Sequence, residues 1–440
     1  MKKNILILIL FVLAFNSFSQ TYTGATVHLD DTVVIRLNDY VGDIQWQKTY
    51  EINNPDSWQN ISDANADSLL FIADTTTYYR TKVIAGNCEP FYSDTVKVNV
   101  YNEFALYFSI ESSNNKKGLF IINGNTMELY EKYETSFVPQ SIQISDNYCT
   151  WYMLGNKSFA PKSSLISKNS QTGSIINEIE VDNRNMTLSK KSNIFFIYGW
   201  HKSLFVDKNT FDIIYEDSLG GISIAAFSPD NLLYYGMTNK VVEYDINDFS
   251  IVREFSVQIS DYNYYVTDIS FSPNGNYLYV TVYSGDSYNP GVFLSINLNT
   301  GYIEDIQDVG SESNIAVSPD GNYVYFTDPA VYFMEFHFPT NKVFRYDVNL
   351  KEIEVFINGP NDLNLTGSAL YTIFAHVSPN SKYLYIFLHN TRETLNGNPV
   401  NVLKIDAVTG ELVNYFTLPT EWRDFTWFWD TKLNKYSICE

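Results

Sequence analysis

Ten side chains have the types and grouping to hold a ligand: Tyr283, Asp286, Tyr288, Asp328, Tyr332, Glu335, His337, His389, Arg392 and Glu393. Flat rings take the apolar face of a sugar or a peptide side chain, and neighbouring acids, amides and a guanidinium orient it by hydrogen bonds. Phe333, Phe336, Phe338 and Asn396 lie in the same stretches. The competing reading is that these rings pack the segments onto one another. Asp328, Glu335 and His337 can be drawn as metal ligands, with Glu335 and His337 at i, i+2 on one side of a strand. One imidazole and two carboxylates make a weak set, so no metal is expected.

Catalytic patterns are missing from the sequence. It holds no Gly-x-Ser-x-Gly elbow, no Ser–His–Asp order, no phosphate-binding glycine loop and no Cys/His cluster. His376 sits among apolar residues and reads as a hydrogen-bonded wall residue rather than a base. No catalytic residue and no cofactor is expected, and an enzyme is the less favoured reading.

The elements that position the ten residues announce themselves by repetition. Ala226–Tyr235, Ser270–Tyr279, Ala316–Tyr325 and His376–Tyr385 are variants of one segment, with Ser-Pro-Asp/Asn at its centre. Proline presets φ for a type I turn, and Asn-Gly or Asp-Gly tolerates positive φ. Degenerate copies keep the serine without the proline. The anchors are Ser145, Ser189, Ser228, Ser272, Ser318 and Ser378, spaced by 44, 39, 44, 46 and 60 residues. Such periods suit four-stranded units stacked in a ring. Asp424–Trp429 reads as a seventh first strand. Phe104–Ser109, Gly118–Ile122 and Glu128–Lys132 read as orphan second, third and fourth strands, so the chain ends together complete a seventh unit. A surplus strand at Lys435–Cys439 fits this count badly, and six or eight units stay open. Asp245, Asp347 and Asp406 recur at the ends of third strands, as turn caps do.

These repeats resemble the YVTN-type and WD-repeat-like β-propellers over about 335 residues. The resemblance implies that second-to-third and fourth-to-first connections share one face. The long connections, Tyr283–Pro290, Asp328–Asn341, His389–Pro399 and Asn358–Ser368, then rise together, carrying all ten candidates. Some exported propellers of this kind resemble lactonases or cofactor-associated dehydrogenase subunits, but none of their catalytic residues can be carried onto this chain.

The N-terminus reads as an export signal over residues 1–19: Lys2 and Lys3, an apolar run from Ile5 to Phe15, then small residues before Gln20. The run is short for a membrane span, and no second apolar span follows. The formal charge of −21 becomes −23 when Lys2 and Lys3 leave. Such acidity disfavours nucleic acid, and the ring-and-acid segments make a protein, peptide or glycan the expected partner. Export places the chain in the periplasm, on the cell surface or outside. Three cysteines, Cys88, Cys149 and Cys439, allow at most one disulfide.

Residues 20–101 read as seven or so short strands. Trp46 and Asp74-x-Thr76-x-Tyr78 resemble the core tryptophan and tyrosine corner of an immunoglobulin-like sandwich. That resemblance implies that Arg80 stands at the family's second cysteine position, so the inter-sheet disulfide is absent. The expected architecture is all-β: signal 1–19, immunoglobulin-like sandwich 20–101, and a propeller over 102–440, with seven blades and closure by both chain ends. The expected role is non-enzymatic binding or adhesion. A lactonase-like enzyme and a structural envelope component are the alternatives.

Overall fold

The computed structural model describes residues 6–10, 23–28, 32–38, 40–52, 54–73, 75–86, 88–101, 104–112, 116–145, 149–156, 162–170, 172–183, 185–189, 191–199, 202–284, 291–310, 314–327, 342–366, 372–388, 394–395, 398–422 and 426–435. Two compact units divide the chain, Met1–Glu103 and Phe104–Glu440. Among the described residues there is no α-helix, and no helix long and apolar enough to cross a membrane.

In the first unit, Asp43–Thr49 and Thr77–Ile84 pair antiparallel at the middle of a six-stranded sheet. A second sheet holds Thr32–Leu37 and Ser68–Ile72. Leu6–Leu10, inside the apolar run read as an export signal, pairs in parallel with Val33–Leu37. Val33, Ile35, Leu37, Ile44, Trp46, Val83, Val96 and Val98 fill the core between the sheets. Trp46 is 1% exposed, and its indole N–H donates to the Ala66 carbonyl at 2.9 Å. One expectation needs correction. Along Thr77–Ile84 the buried positions are Thr77, Tyr79, Thr81 and Val83, so Tyr78 and Arg80 face outward. Thr81, paired with Trp46, takes the inward place assigned to Arg80. A strand whose two faces are both polar or aromatic carries no apolar alternation to fix its phase.

Among the described residues, the second unit contains seven four-stranded antiparallel sheets, six of them meanders within one stretch of chain. By first strand they are I (Val138–Ile144), II (Asn185–Leu188), III (Ile224–Phe227), IV (Tyr265–Phe271), V (Asn314–Val317), VI (Thr372–Val377) and VII (Thr426–Lys435). Sheet VII is built from both ends of the chain: Thr426–Lys435 pairs with Phe104–Ser112, followed by Lys117–Asn123 and Leu129–Glu134. Each first strand packs beside the first strand of the next sheet, and the series returns from VI through VII to I. This is a β-propeller. The expected surplus strand beyond Lys435 lies outside the described residues.

The repeat serines build the turns from first to second strand. Ser272, Ser318 and Ser378 each accept the backbone N–H of a tyrosine five residues on, Tyr277, Tyr323 and Tyr383, at 2.9 Å. Their hydroxyls donate to the Asn274, Asp320 and Asn380 side chains at 2.6–2.7 Å. Gly275 and Gly321 complete the turns at φ 74° and 76°. At the third-to-fourth turns, Asp245, Asp347 and Asp406 accept backbone N–H groups of the residues that follow, as expected of caps. Those bonds hold the Asp406 carboxyl below its ordinary pKa.

Candidate functional site

A meander alternates its connections between two ends. The serine turns lie at one end of the ring, and the second-to-third and fourth-to-first connections lie at the other. The strands bounding the four long connections belong to sheets IV, V and VI, which are consecutive. Of the ten candidates only Tyr283 lies among the described residues. It closes its strand opposite Tyr265, at the looped end. Asp286, Tyr288, Asp328, Tyr332, Glu335, His337, His389, Arg392 and Glu393 lie outside the described residues, as do Phe333, Phe336, Phe338 and Asn396.

Two of the long connections are anchored to the core. In residues 358–366, Pro360–Leu363 forms one 3-10 turn, and the Asn358 N–H donates to Asp362 at 2.8 Å. Leu363 and Leu365 are buried with Val343, Leu388 and Val400. In the connection that follows Leu388, Thr394–Leu395 pairs with Asn398–Pro399, and Leu395 packs on the same cluster. Packing of Leu363, Leu365 and Leu395 therefore holds parts of these connections to the core.

The structure adds aromatics that the sequence reading passed over. Tyr262, in the connection from sheet III to sheet IV, and Tyr265, which opens the first strand of sheet IV and pairs with Tyr283, are 50% and 47% exposed. Tyr264 between them is buried, its N–H held by Asn239 at 2.6 Å. The run Asp261-Tyr-Asn-Tyr-Tyr265 was the available signal.

The inner strands carry a different chemistry: side chains bridge neighbouring sheets. Asp430 of sheet VII accepts the Ile142 N–H at 2.8 Å. Ser141 donates to the Met186 carbonyl at 3.3 Å, and Ser223 to that of Val266 at 2.6 Å. Asp268 accepts from Ile315 N–H at 2.8 Å and from the Asn314 amide at 3.0 Å. Asn314 accepts the Ala375 N–H at 3.0 Å, and His376 Nε2 lies 2.8 Å from the Thr431 hydroxyl. Burial raises the Asp268 carboxyl to about 6 despite its N–H donors. Burial, with the Lys432 ammonium acting the same way, lowers the His376 imidazole to about 3. His376 is thus a neutral wall residue near pH 7. It lines a cavity of about 300 Å³ with Ser270, Phe271, Pro273, Ile315, Ala316, Val317 and Val377, at the serine-turn end. Among the described residues, no three His, Cys, Asp or Glu side chains gather as a metal ion would need.

Residues 20–102 match the family model of a domain of unknown function, DUF8696. A comparison with curated proteins finds no match. Among solved structures, a functionally unknown protein from Desulfotomaculum acetoxidans DSM 771 aligns with TM-score 0.51 and 13% identity, over 73% of this chain and 98% of that one. The WD40 domain of Neurospora crassa Pan2 aligns at 0.47 and 10%, over 64% and 79%. A chain of a mitotic checkpoint complex aligns at 0.49 and 13%, over 62% and 79%. Identities this low concern fold and carry no activity across.

Proposed function

We propose that the chain is an exported, non-enzymatic binding protein whose seven-bladed propeller holds a protein or peptide at its looped end. The observation that carries this reading is the placement of the insertions. Sheets IV, V and VI bound all four long connections at one end, while the turns at the other end are short and alike. Exposed Tyr265, paired with Tyr283, and exposed Tyr262 three residues before it supply the amphipathic rings that protein interfaces favour. The first unit is read as an immunoglobulin-like spacer. Export is supported by the N-terminal basic and apolar pattern and by Cys149, which is disulfide-bonded, a state that oxidising compartments preserve. His376 supports no enzymatic alternative, since it is neutral and bonded into the inner wall.

The test is a peptide and glycan array probed with the full chain and with a variant lacking residues 328–341. Binding to peptide ligands that disappears with the deletion supports the reading. Equal binding by both proteins sinks it.

A further inference from the structure

Arg80 stands on the outer face of the six-stranded sheet, on a central strand, with its guanidinium 4.0 Å from the Trp58 ring centroid and 4.3 Å from that of Tyr92. The two rings reach it from separate elements. Trp58 follows the Pro55–Ser57 turn, which Asn54 caps, and Tyr92 lies on the short strand paired with Lys82–Val83. Arg80 Nε donates to Gln47 Oε1 at 2.9 Å, and Gln47 in turn donates to Asn60 at 2.9 Å. The guanidinium is therefore held by two rings and along its Nε edge. Its Nη1 and Nη2 groups make no hydrogen bond to any described residue.

Two other arginines in this chain indicate what such a fork takes. Arg345 is stacked on Tyr323 and Phe356, at 4.8 and 4.4 Å, and its fork is filled by the Glu354 carboxylate and the Ala407 and Val408 carbonyls. Arg253 lies over Phe255, and its fork is filled by Glu243 and the Leu298 carbonyl. Arg80 has the same stacking without the carboxylate. Its face is also cationic within an acidic unit: of the five Lys and Arg in residues 20–103, Arg80, Lys82 and Lys97 stand there. Lys82 is opposite Tyr92, and Lys97 is opposite Tyr78 with its ammonium 5.6 Å from that ring.

We propose that this face binds a carboxylated sugar, a uronate residue of an acidic glycan, with its carboxylate bidentate on Arg80. A uronate holds its carboxylate rigidly beside the apolar face of a ring. Arg80 meets the first, and Tyr92, 43% exposed, meets the second. A flexible aspartate or glutamate of a peptide engages the fork alone.

Titration calorimetry on the full chain tests this with tetragalacturonate, its methyl ester and tetraglutamate. Tetragalacturonate binds, and neither the neutral ester nor the peptide competes. Arg80→Met weakens binding at least about tenfold while the melting profile is retained. Arg80→Lys keeps the charge and still loses most of the affinity, because it cannot bridge both oxygens. Lys82→Gln, a change at the sheet surface, weakens binding about threefold and lowers its salt dependence. Deleting residues 328–341 of the propeller leaves this binding unchanged, so the two sites fail separately. Absence of tetragalacturonate binding, or unaltered binding by Arg80→Met, overturns the proposal. Tetraglutamate binding as tight as tetragalacturonate also overturns it, in favour of an acidic peptide.

Discussion

The two ends of the propeller are made by different rules. At the serine-turn end, sheets IV, V and VI spend the same few atoms in the same way: a hydroxyl accepting a tyrosine N–H and donating to a side-chain oxygen two residues on. At the looped end, neighbouring connections share neither length nor composition, and parts of them are tied down individually, as Leu363 and Leu395 are. Repetition marks what every sheet needs in order to close. Irregularity marks what only one place on the ring needs, and binding is such a need.

Substitutions can break or sharpen that contrast. The largest expected effect is at the looped end: removing residues 328–341 abolishes peptide capture, with a fall of more than about a hundredfold, while the urea midpoint moves little because loop length costs little. A midpoint that collapses would make the loop a structural part and erase the distinction. Next, Ser318→Ala at the turn end orphans the Tyr323 N–H and is expected to cost about 1–3 kcal/mol in urea denaturation with binding unchanged.

The inner wall adds a pH test. The lowered pKa of His376 means that the unfolded chain binds the proton more tightly, so its contribution is present above about 6.5 and is lost as pH falls toward 3. Asp268 runs the other way: its raised pKa favours the protonated folded state, so that contribution falls as pH rises from about 3.9 toward 6. The pH 7 midpoint minus the pH 5 midpoint should therefore fall in His376→Gln and rise in Asp268→Asn. Changes in the opposite directions would show that neither group is held as the inner-strand bonds suggest. The smallest expected effect is Asp245→Ala, whose capped N–H groups are exposed and can turn to water; it should cost under about 1 kcal/mol by the same measurement.

Much of this was legible in sequence because turns use few residue types. Ser-Pro-Asp-Gly names its own conformation, and the orphan strands after Phe104 needed a first strand, expected at Asp424–Trp429 and found as the longer Thr426–Lys435. The inner-strand bridges were not legible, since Asp268, Asn314 and Asp430 act across sheets and share no local spacing. Arg80 was misplaced by one residue because Thr-Thr-Thr-Tyr-Tyr-Arg-Thr-Lys offers no apolar phase. The aromatic pair that stacks on it comes from 22 residues upstream and 12 downstream. Tyr262 and Tyr265 were visible as a tyrosine run, but exposure is decided by neighbours such as Asn239 that hold Tyr264 inward.

Sheet VII pairs the first strand of the propeller unit with its last, Phe104 against Lys435 at one extremity and Ser112 against Thr426 at the other. That arrangement sets how the ring answers to force. A load applied between Phe104 and Lys435 falls on the end rung first, and the strands part like a zipper, one pair after another. A load applied between Phe104 and Thr426 would instead drag the strands lengthwise, with every rung resisting together.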